Sequence, residues 1–283
     1  MQFTKMQSLG NDFILIDGIT QRVDDVIDEK FAKVFCSRRL GIGADGVIVV
    51  LSSKRSDFRM LIINSDGSVP EMCGNGMSCF AKFVYETGLT QKDVFSVETG
   101  AGIIVPVLSL QDGKVLSLEV DMGAPEFLTE QFIDQGVPAE FVDKVVHIDQ
   151  GNYEVNAVSM GNPHAVIFVD ELRAIDVSEL GPKIEALPQF PQGVNVEFVQ
   201  ILNREEIQVD VWERGAGVTL ACGTGACATV VAGVRTGRLQ RSVQVHLPGG
   251  DLRIHYQEDN DRVLMQSNSR TVFKGELDAL VTQ

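Results

Sequence analysis

Short apolar stretches rich in Val and Ile, cut by Gly, Asp and Asn, dominate this chain. They predict strands over 13–17, 47–51, 58–64, 103–110, 115–121, 155–160, 165–169, 194–201, 207–212 and 243–247. Stretches with helical spacing are fewer: 26–38, 77–87, 177–187 and 226–236. This mixture is an α+β fold class with mostly antiparallel pairing. Residues 226–234 are apolar or small on nearly every side, which marks a helix buried all round. A curved sheet or barrel wrapped about such a helix supplies that environment.

Two of the helical stretches open in the same way. Cys73-Gly74-Asn75-Gly76 precedes 77–87 and Cys222-Gly223-Thr224-Gly225 precedes 226–236, and each stretch stops at Thr-Gly. The cysteines are 149 positions apart, and that offset carries Asn64 to Glu213 and Gly46 to Asn195. Gly10-Asn11 meets Gly161-Asn162 at an offset of 151. Four landmarks in one order predict two pseudo-symmetric halves. The chain of 283 residues accordingly suits two lobes. They are expected over 1–118, with a returning tail at 268–283, and over 119–267.

The first N–H groups of a helix are unpaired and its start carries partial positive charge. A cysteine there is expected to have a depressed pKa, with an anion welcome beside it. Metal ligation is disfavoured, because neither copy is a Cys-x-x-Cys and no histidine stands at ligand spacing. A reversible dithiol leaves the glycines and asparagines without a task. Hydrolysis by one thiol leaves the second unexplained. Proton transfer at carbon uses both: one thiolate removes a proton and the other thiol delivers one from the opposite face, inverting the centre. The helix starts then stabilise an α-carboxylate as the α-proton leaves. No phosphate cradle for pyridoxal is apparent.

Composition narrows the setting. A formal charge of −15 argues against nucleic acid or an anionic membrane as partner. No apolar run reaches the roughly 18 residues of a membrane span, and Met1-Gln2-Phe3-Thr4-Lys5 lacks a signal-peptide pattern. The protein therefore reads as cytoplasmic. Five cysteines in a reducing compartment remain thiols. Cys36, Cys79 and Cys227 read as small buried hydrophobes. His147, His246 and His255 have no motif around them and read as structural or surface residues.

Several segments together resemble the diaminopimelate epimerase family, cofactor-independent enzymes that interconvert LL- and meso-diaminopimelate in lysine and peptidoglycan precursor biosynthesis. They are Leu9-Gly10-Asn11-Asp12-Phe13, Gly41-Ile42-Gly43-Ala44-Asp45-Gly46, Asn64-Ser65-Asp66-Gly67-Ser68, Gly161-Asn162-Pro163-His164, Asn195, Trp212-Glu213-Arg214-Gly215-Ala216-Gly217 and both cysteine motifs. The resemblance implies that Cys73 and Cys222 face each other as catalytic thiols, with His164 and Glu213 as polar partners of the reacting end. It implies that Gly74, Asn75, Gly223 and Thr224 hold the α-carboxylate, and that Asn11, Asn64, Asn162, Asn195 and Arg214 fix the rest of the substrate. It also implies a homodimer with neither metal nor cofactor. One departure is Gly46, where some relatives carry a Gln that reaches the site. Proline and hydroxyproline racemases typically show Cys-Gly-His-Gly where this chain has Asn75, and they lack the Glu-Arg-Gly-Ala-Gly run. Alternatives are another pyridoxal-independent racemase on this scaffold, a dithiol redox protein, or an amino acid binding protein.

Overall fold

The computed structural model describes residues 1–23, 27–149 and 151–277. Residue 26, where the first predicted helix begins, and the last six residues of the expected tail lie outside these. Contacts divide the chain into two units, Met1–Val120 with Ser267–Gln283 and Asp121–Gln266.

The first unit contains β1 (Gln2–Ser8), β2 (Asn11–Asp17), α1 (Glu29–Phe35), β3 (Gly46–Leu51), β4 (Phe58–Asn64), α2 (Gly74–Glu86), β5 (Val97–Thr99), β6 (Gly102–Ile104) and the hairpin β7 (Val107–Gln111) and β8 (Lys114–Asp121). Strands β1 to β6 lie side by side in chain order. Most neighbours are antiparallel, but β2 and β3 run parallel, as do β4 and β5. Because strand side chains alternate between faces, the sheet has two apolar sides. Ile14, Ile16, Val47, Val49 and Ile63 pack with Phe31 and Ala32 of α1. The other face meets α2, whose Met77, Cys79, Phe80, Ala81 and Val84 are buried.

The second unit contains a short hairpin, β9 (Ile133–Asp134) and β10 (Val137–Pro138), then β11 (Lys144–Ile148), β12 (Gly151–Ser159), β13 (Pro163–Val169), α3 (Val177–Glu185), β14 (Asn195–Asn203), β15 (Glu206–Glu213), β16 (Gly217–Thr219), α4 (Gly223–Arg235), β17 (Ser242–Leu247), β18 (Gly250–Tyr256) and β19 (Val263–Ser267). Its strand order is β11-β12-β13-β14-β15-β17-β18-β19, with β16 added to β15. Ala165, Ile167, Val196 and Phe198 pack toward Ile184 of α3, and the opposite face covers α4. Every residue from Gly225 to Gly233 is buried, as the apolar periphery of that segment predicts. The last strand, β20 (Arg270–Glu276), belongs to the first unit and pairs with β1.

The repeat extends to hydrogen-bond register. In each unit an antiparallel pair is followed by a parallel and then an antiparallel neighbour, β1-β2-β3-β4 against β12-β13-β14-β15. Phe13 pairs with Gly46 as His164 pairs with Asn195, and Val47 with Ile63 as Val196 with Trp212. Helices α2 and α4 are both 13 residues long.

The pattern does not predict β5, β9, β10, β11, β16, β18, β19 or β20 as strands, and three further features depart from it. Strand β1 was hidden because Thr4 and Lys5 are polar yet buried; Lys5 Nζ lies 2.7 Å from Asp12 and donates to Gly43 O. The predicted strand 103–110 is divided at Pro106, which has no N–H for a ladder. Helix α1 begins only at Glu29, where Asp28 Oδ1 accepts from Phe31 N at 2.9 Å and caps the first turn. Among the described residues, no helix is long and apolar enough to cross a membrane.

Candidate active site

Both motif cysteines are helix N-caps. Each has an extended backbone, with φ −143° and ψ 118° at Cys73 and φ −126° and ψ 113° at Cys222, so the side chain turns back over the first turn. Cys73 Sγ accepts from Gly76 N at 3.3 Å and Cys222 Sγ from Gly225 N at 3.4 Å. This is the place usually held by Ser or Asp. The N–H groups of Gly74 and Asn75, and of Gly223 and Thr224, precede the first intrahelical bonds and point toward an acceptor outside the helix.

In the first unit Asn11 Oδ1 stands 3.7 Å from Cys73 Sγ. Its Nδ2 donates to Asp45 Oδ2 at 2.6 Å, and Asp12 N donates to the same oxygen. Arg38 ties Asp12 to Asp45, with 2.7 Å contacts to each. Burial pushes the Asp12 carboxyl up, but Arg38 and Lys5 outweigh it and hold the group at about 2. Asn11 is thus braced by a charged network. Asn64 is joined to Ser68, Nδ2 to Oγ at 2.9 Å, and Asn75 is half-buried in the first turn of α2. A Cβ at Gly46 would come within 2.8 Å of Ile63 O, so any side chain at this position needs a shifted backbone.

The second unit gathers more polar groups. Cys222 Sγ is 3.4 Å from Thr224 Oγ1, which accepts from Asn162 Nδ2 at 3.2 Å. Asn162 Oδ1 lies 3.0 Å from His164 Nε2, and His164 Nδ1 lies 2.7 Å from Glu197 Oε1. His164 and Glu197 are both fully buried. Glu213 accepts from Thr219 Oγ1 at 2.6 Å. Asn195 is engaged with backbone on both sides, Nδ2 to Pro163 O and Oδ1 from Arg214 N. It therefore fixes the Asn162-Pro163-His164 turn and the start of the Arg214 loop. Arg214 is exposed and donates from Nη1 to Gln192 O.

One electrostatic expectation is overturned. Burial pushes the Cys222 thiol up to about 12, and the Glu213 and Glu197 carboxylates act in the same direction. The Thr224 hydroxyl and the Gly225 N–H oppose them without prevailing. Desolvation of a thiolate outweighs the helix start, so Cys222 is held as a thiol. Burial likewise raises Cys36, to about 11, and pushes Cys79 and Cys227 up, in keeping with inert core roles.

Glu197 escaped the sequence reading because it sits in the apolar run Val194-Asn195-Val196-Glu197-Phe198, where it passes for a solvent-facing strand residue. The available signal was the 149-residue offset, which sets it against Ile48. His164, Glu197 and Cys222 present ligand-type atoms within 4.8 Å of one another. Both His164 nitrogens are already engaged, however, so a metal would have to break the bonds to Glu197 and Asn162.

The fold is shared with solved structures. A hydroxyproline epimerase from Agrobacterium vitis, solved with bound trans-4-hydroxy-L-proline, superposes with a TM-score of 0.66 at 18% identity over 98% of this chain and 90% of its own. A phenazine biosynthesis protein of the PhzF family from Bacillus anthracis superposes with a TM-score of 0.71 at 15% identity over 99% of both chains. At such identities the likeness establishes the fold. The sequence goes further: residues 3–128 and 156–272 match the family model described as diaminopimelate epimerase. Diaminopimelate epimerases of Moorella thermoacetica and Desulfitobacterium hafniense are 49% and 48% identical to this chain, each over 98% of it and over 99% and 98% of their own lengths. The chain belongs to the diaminopimelate epimerase family, and is an isomerase.

Proposed function

We propose that this chain interconverts LL- and meso-diaminopimelate by proton transfer between two thiols and the α-carbon. The observation that carries this reading is the matched pair of cysteine N-caps, each with its sulfur accepting from the N–H of the last glycine of its Cys-Gly-x-Gly turn. Inversion at carbon needs a base on one face and an acid on the other. A thiol held protonated, as Cys222 is, suits the acid.

The open N–H groups of Gly74, Asn75, Gly223 and Thr224 receive the α-carboxylate and stabilise the negative charge that grows as the proton leaves. Asn11, fixed by Asp45, and Asn162, fixed by His164, orient the substrate beside their own cysteines. Asn64 and Arg214 bind the distal end, Arg214 through its bidentate fork. Asn195 serves by holding the backbone that carries Arg214. His164 and Glu213 orient the amino group and set the charge around Cys222. A homodimer in the cytoplasm completes the reading; sedimentation and cell fractionation test those two points.

The experiment is incubation of the purified, reduced protein with LL-diaminopimelate in deuterium oxide without added cofactor. Deuterium at the α-carbon of meso product is expected, with turnover reduced about 10²–10⁴-fold in both Cys73→Ser and Cys222→Ser. Wild-type protein that neither exchanges nor inverts this substrate overturns the assignment. Turnover of proline or hydroxyproline instead would make it another racemase on this scaffold.

A further inference from the structure

The two units share strand register around their central helices, and one buried pair of positions differs in kind. Phe13 on β2 occupies the register position of His164 on β13, and two residues along the adjacent parallel strand Ile48 stands where Glu197 stands. The helix contacts repeat as well. A Cβ on Gly76 would come within 3.1 Å of Ile48 Cδ1, and one on Gly225 within 2.4 Å of Glu197 Oε1. One place in the fold is therefore filled by Phe and Ile in the first unit and by His and Glu in the second.

The apolar version shows that packing does not require the charged pair. The polar version is also costly. Both side chains are wholly buried, and Glu197 Oε2 has no hydrogen-bond partner among the described residues. Burying an incompletely bonded carboxyl opposes folding. Such a cost is retained where a neighbouring group needs the pair, and the neighbour is Cys222. Asn162 presents Oδ1 to His164 Nε2, so Nε2 carries a hydrogen. Asn162 Nδ2 donates to Thr224 Oγ1, which leaves the hydroxyl hydrogen for Cys222 Sγ. At 2.7 Å, Nδ1 and Oε1 hold one proton between them. The titratable groups around Glu197 are His164 on β13, Glu213 on β15 and Cys222 at the start of α4. Burial raises the Glu197 carboxyl, and the His164 ring opposes it, as expected of a shared proton.

We propose that Glu197 is a positioning residue for the chemistry at Cys222: by sharing a proton with His164 Nδ1 it fixes the ring, and through Asn162 and Thr224 it directs a hydrogen bond onto the sulfur. This rests on Cys222 being one of the two reacting thiols. The first unit has no counterpart, so the two thiols are tuned by different means, Cys73 through Asn11 and Asp45, Cys222 through this relay.

The test compares Glu197→Gln, the double variant His164→Phe with Glu197→Ile, and Cys222→Ser. Glu197→Gln is expected to lower kcat about 10- to 100-fold with KM changed by no more than about twofold, the range seen when an outer partner orienting a histidine is removed. In nitrogen-15 histidine NMR, Glu197→Gln should move the His164 Nδ1 resonance, because the group 2.7 Å from Nδ1 changes from a carboxyl to an amide. The double variant copies the first unit's residues and should melt no lower than wild type while losing turnover. Wild-type kcat with an unchanged His164 spectrum in Glu197→Gln overturns the proposal. So does a folding failure in either variant, because the pair would then be structural. If Cys222→Ser retains turnover, the two-thiol reading fails instead; if it is inactive while Glu197→Gln is unaffected, only the positioning role falls.

Discussion

Placing a methyl group on the last glycine of each Cys-Gly-x-Gly turn should have different consequences in the two units. In Gly76→Ala the new Cβ lies 3.1 Å from Ile48 Cδ1, 3.3 Å from Cys73 Cβ and 3.4 Å from Ile62 Cδ1, contacts relieved by shifts of a few tenths of an ångström. Replacing Gly by Ala inside a helix favours folding by up to about 1 kcal/mol. The crowding offsets part of that, and the net change should stay within about 1 kcal/mol of zero. In Gly225→Ala the Cβ falls 2.4 Å from Glu197 Oε1 and 3.1 Å from its Cδ, and an ordinary contact begins near 3.4 Å. The carboxyl must retreat by about 1 Å, which ruptures its 2.7 Å bond to His164 inside a dry core. Breaking a buried pair of this kind costs about 3–5 kcal/mol, so the net destabilisation should be about 2–4 kcal/mol after the helix gain. Calorimetric melting of both variants measures this, at roughly 2–4 °C per kcal/mol for chains of this size class. Gly225→Ala should melt about 4–16 °C below wild type and Gly76→Ala within a few degrees of it. Equal shifts in the two variants, or a larger loss in Gly76→Ala, would refute the account of Glu197 beneath the helix start.

Two further outcomes follow from titrating groups. Asp12 is held at about 2 in the folded chain against an ordinary 3.8, a depressed carboxyl, so its contribution is present above pH 3.8 and vanishes as pH falls toward 2. Solvent screening limits that contribution to about 2 kcal/mol or less. Urea unfolding of Asp12→Asn against wild type should show that gap at pH 6 and its closure near pH 2; a gap independent of pH contradicts the ion network. Cys222, pushed to about 12 by burial and by Glu213 and Glu197, has almost no thiolate at neutral pH. Its alkylation by iodoacetamide, followed on the Cys222 peptide, should rise about tenfold per pH unit from 7 to 10, and a plateau below pH 9 would show a depressed thiol instead.

Much of the site was legible because its chemistry is local. A cysteine followed by Gly-x-Gly and a helical stretch becomes an N-cap through bonds spanning three residues, and both copies do so with the same partner. The repeat was legible for a similar reason. Strands of short apolar runs and turn residues carry their register in sequence spacing, and the offset of 149 reappears as paired positions in β3 with β4 and β14 with β15. Strand β1 was not legible, since Lys5 is tolerated inside only through Asp12 and Gly43, both remote in sequence.

What the sequence determined alone was the fold class, the doubled architecture and the two matched cysteine N-caps, all set by periodicity and by contacts within a few residues. Only the tertiary structure decided the state of Cys222 and the part played by Glu197. A helix start favours a thiolate, and that tendency can be read from neighbours in the chain. Desolvation opposes it and depends on everything packed around the sulfur, including a carboxyl 25 positions away whose partner, His164, is a further 33 positions back on another strand. Charge in a low-dielectric core is governed by three-dimensional proximity, and at Cys222 that term is the larger.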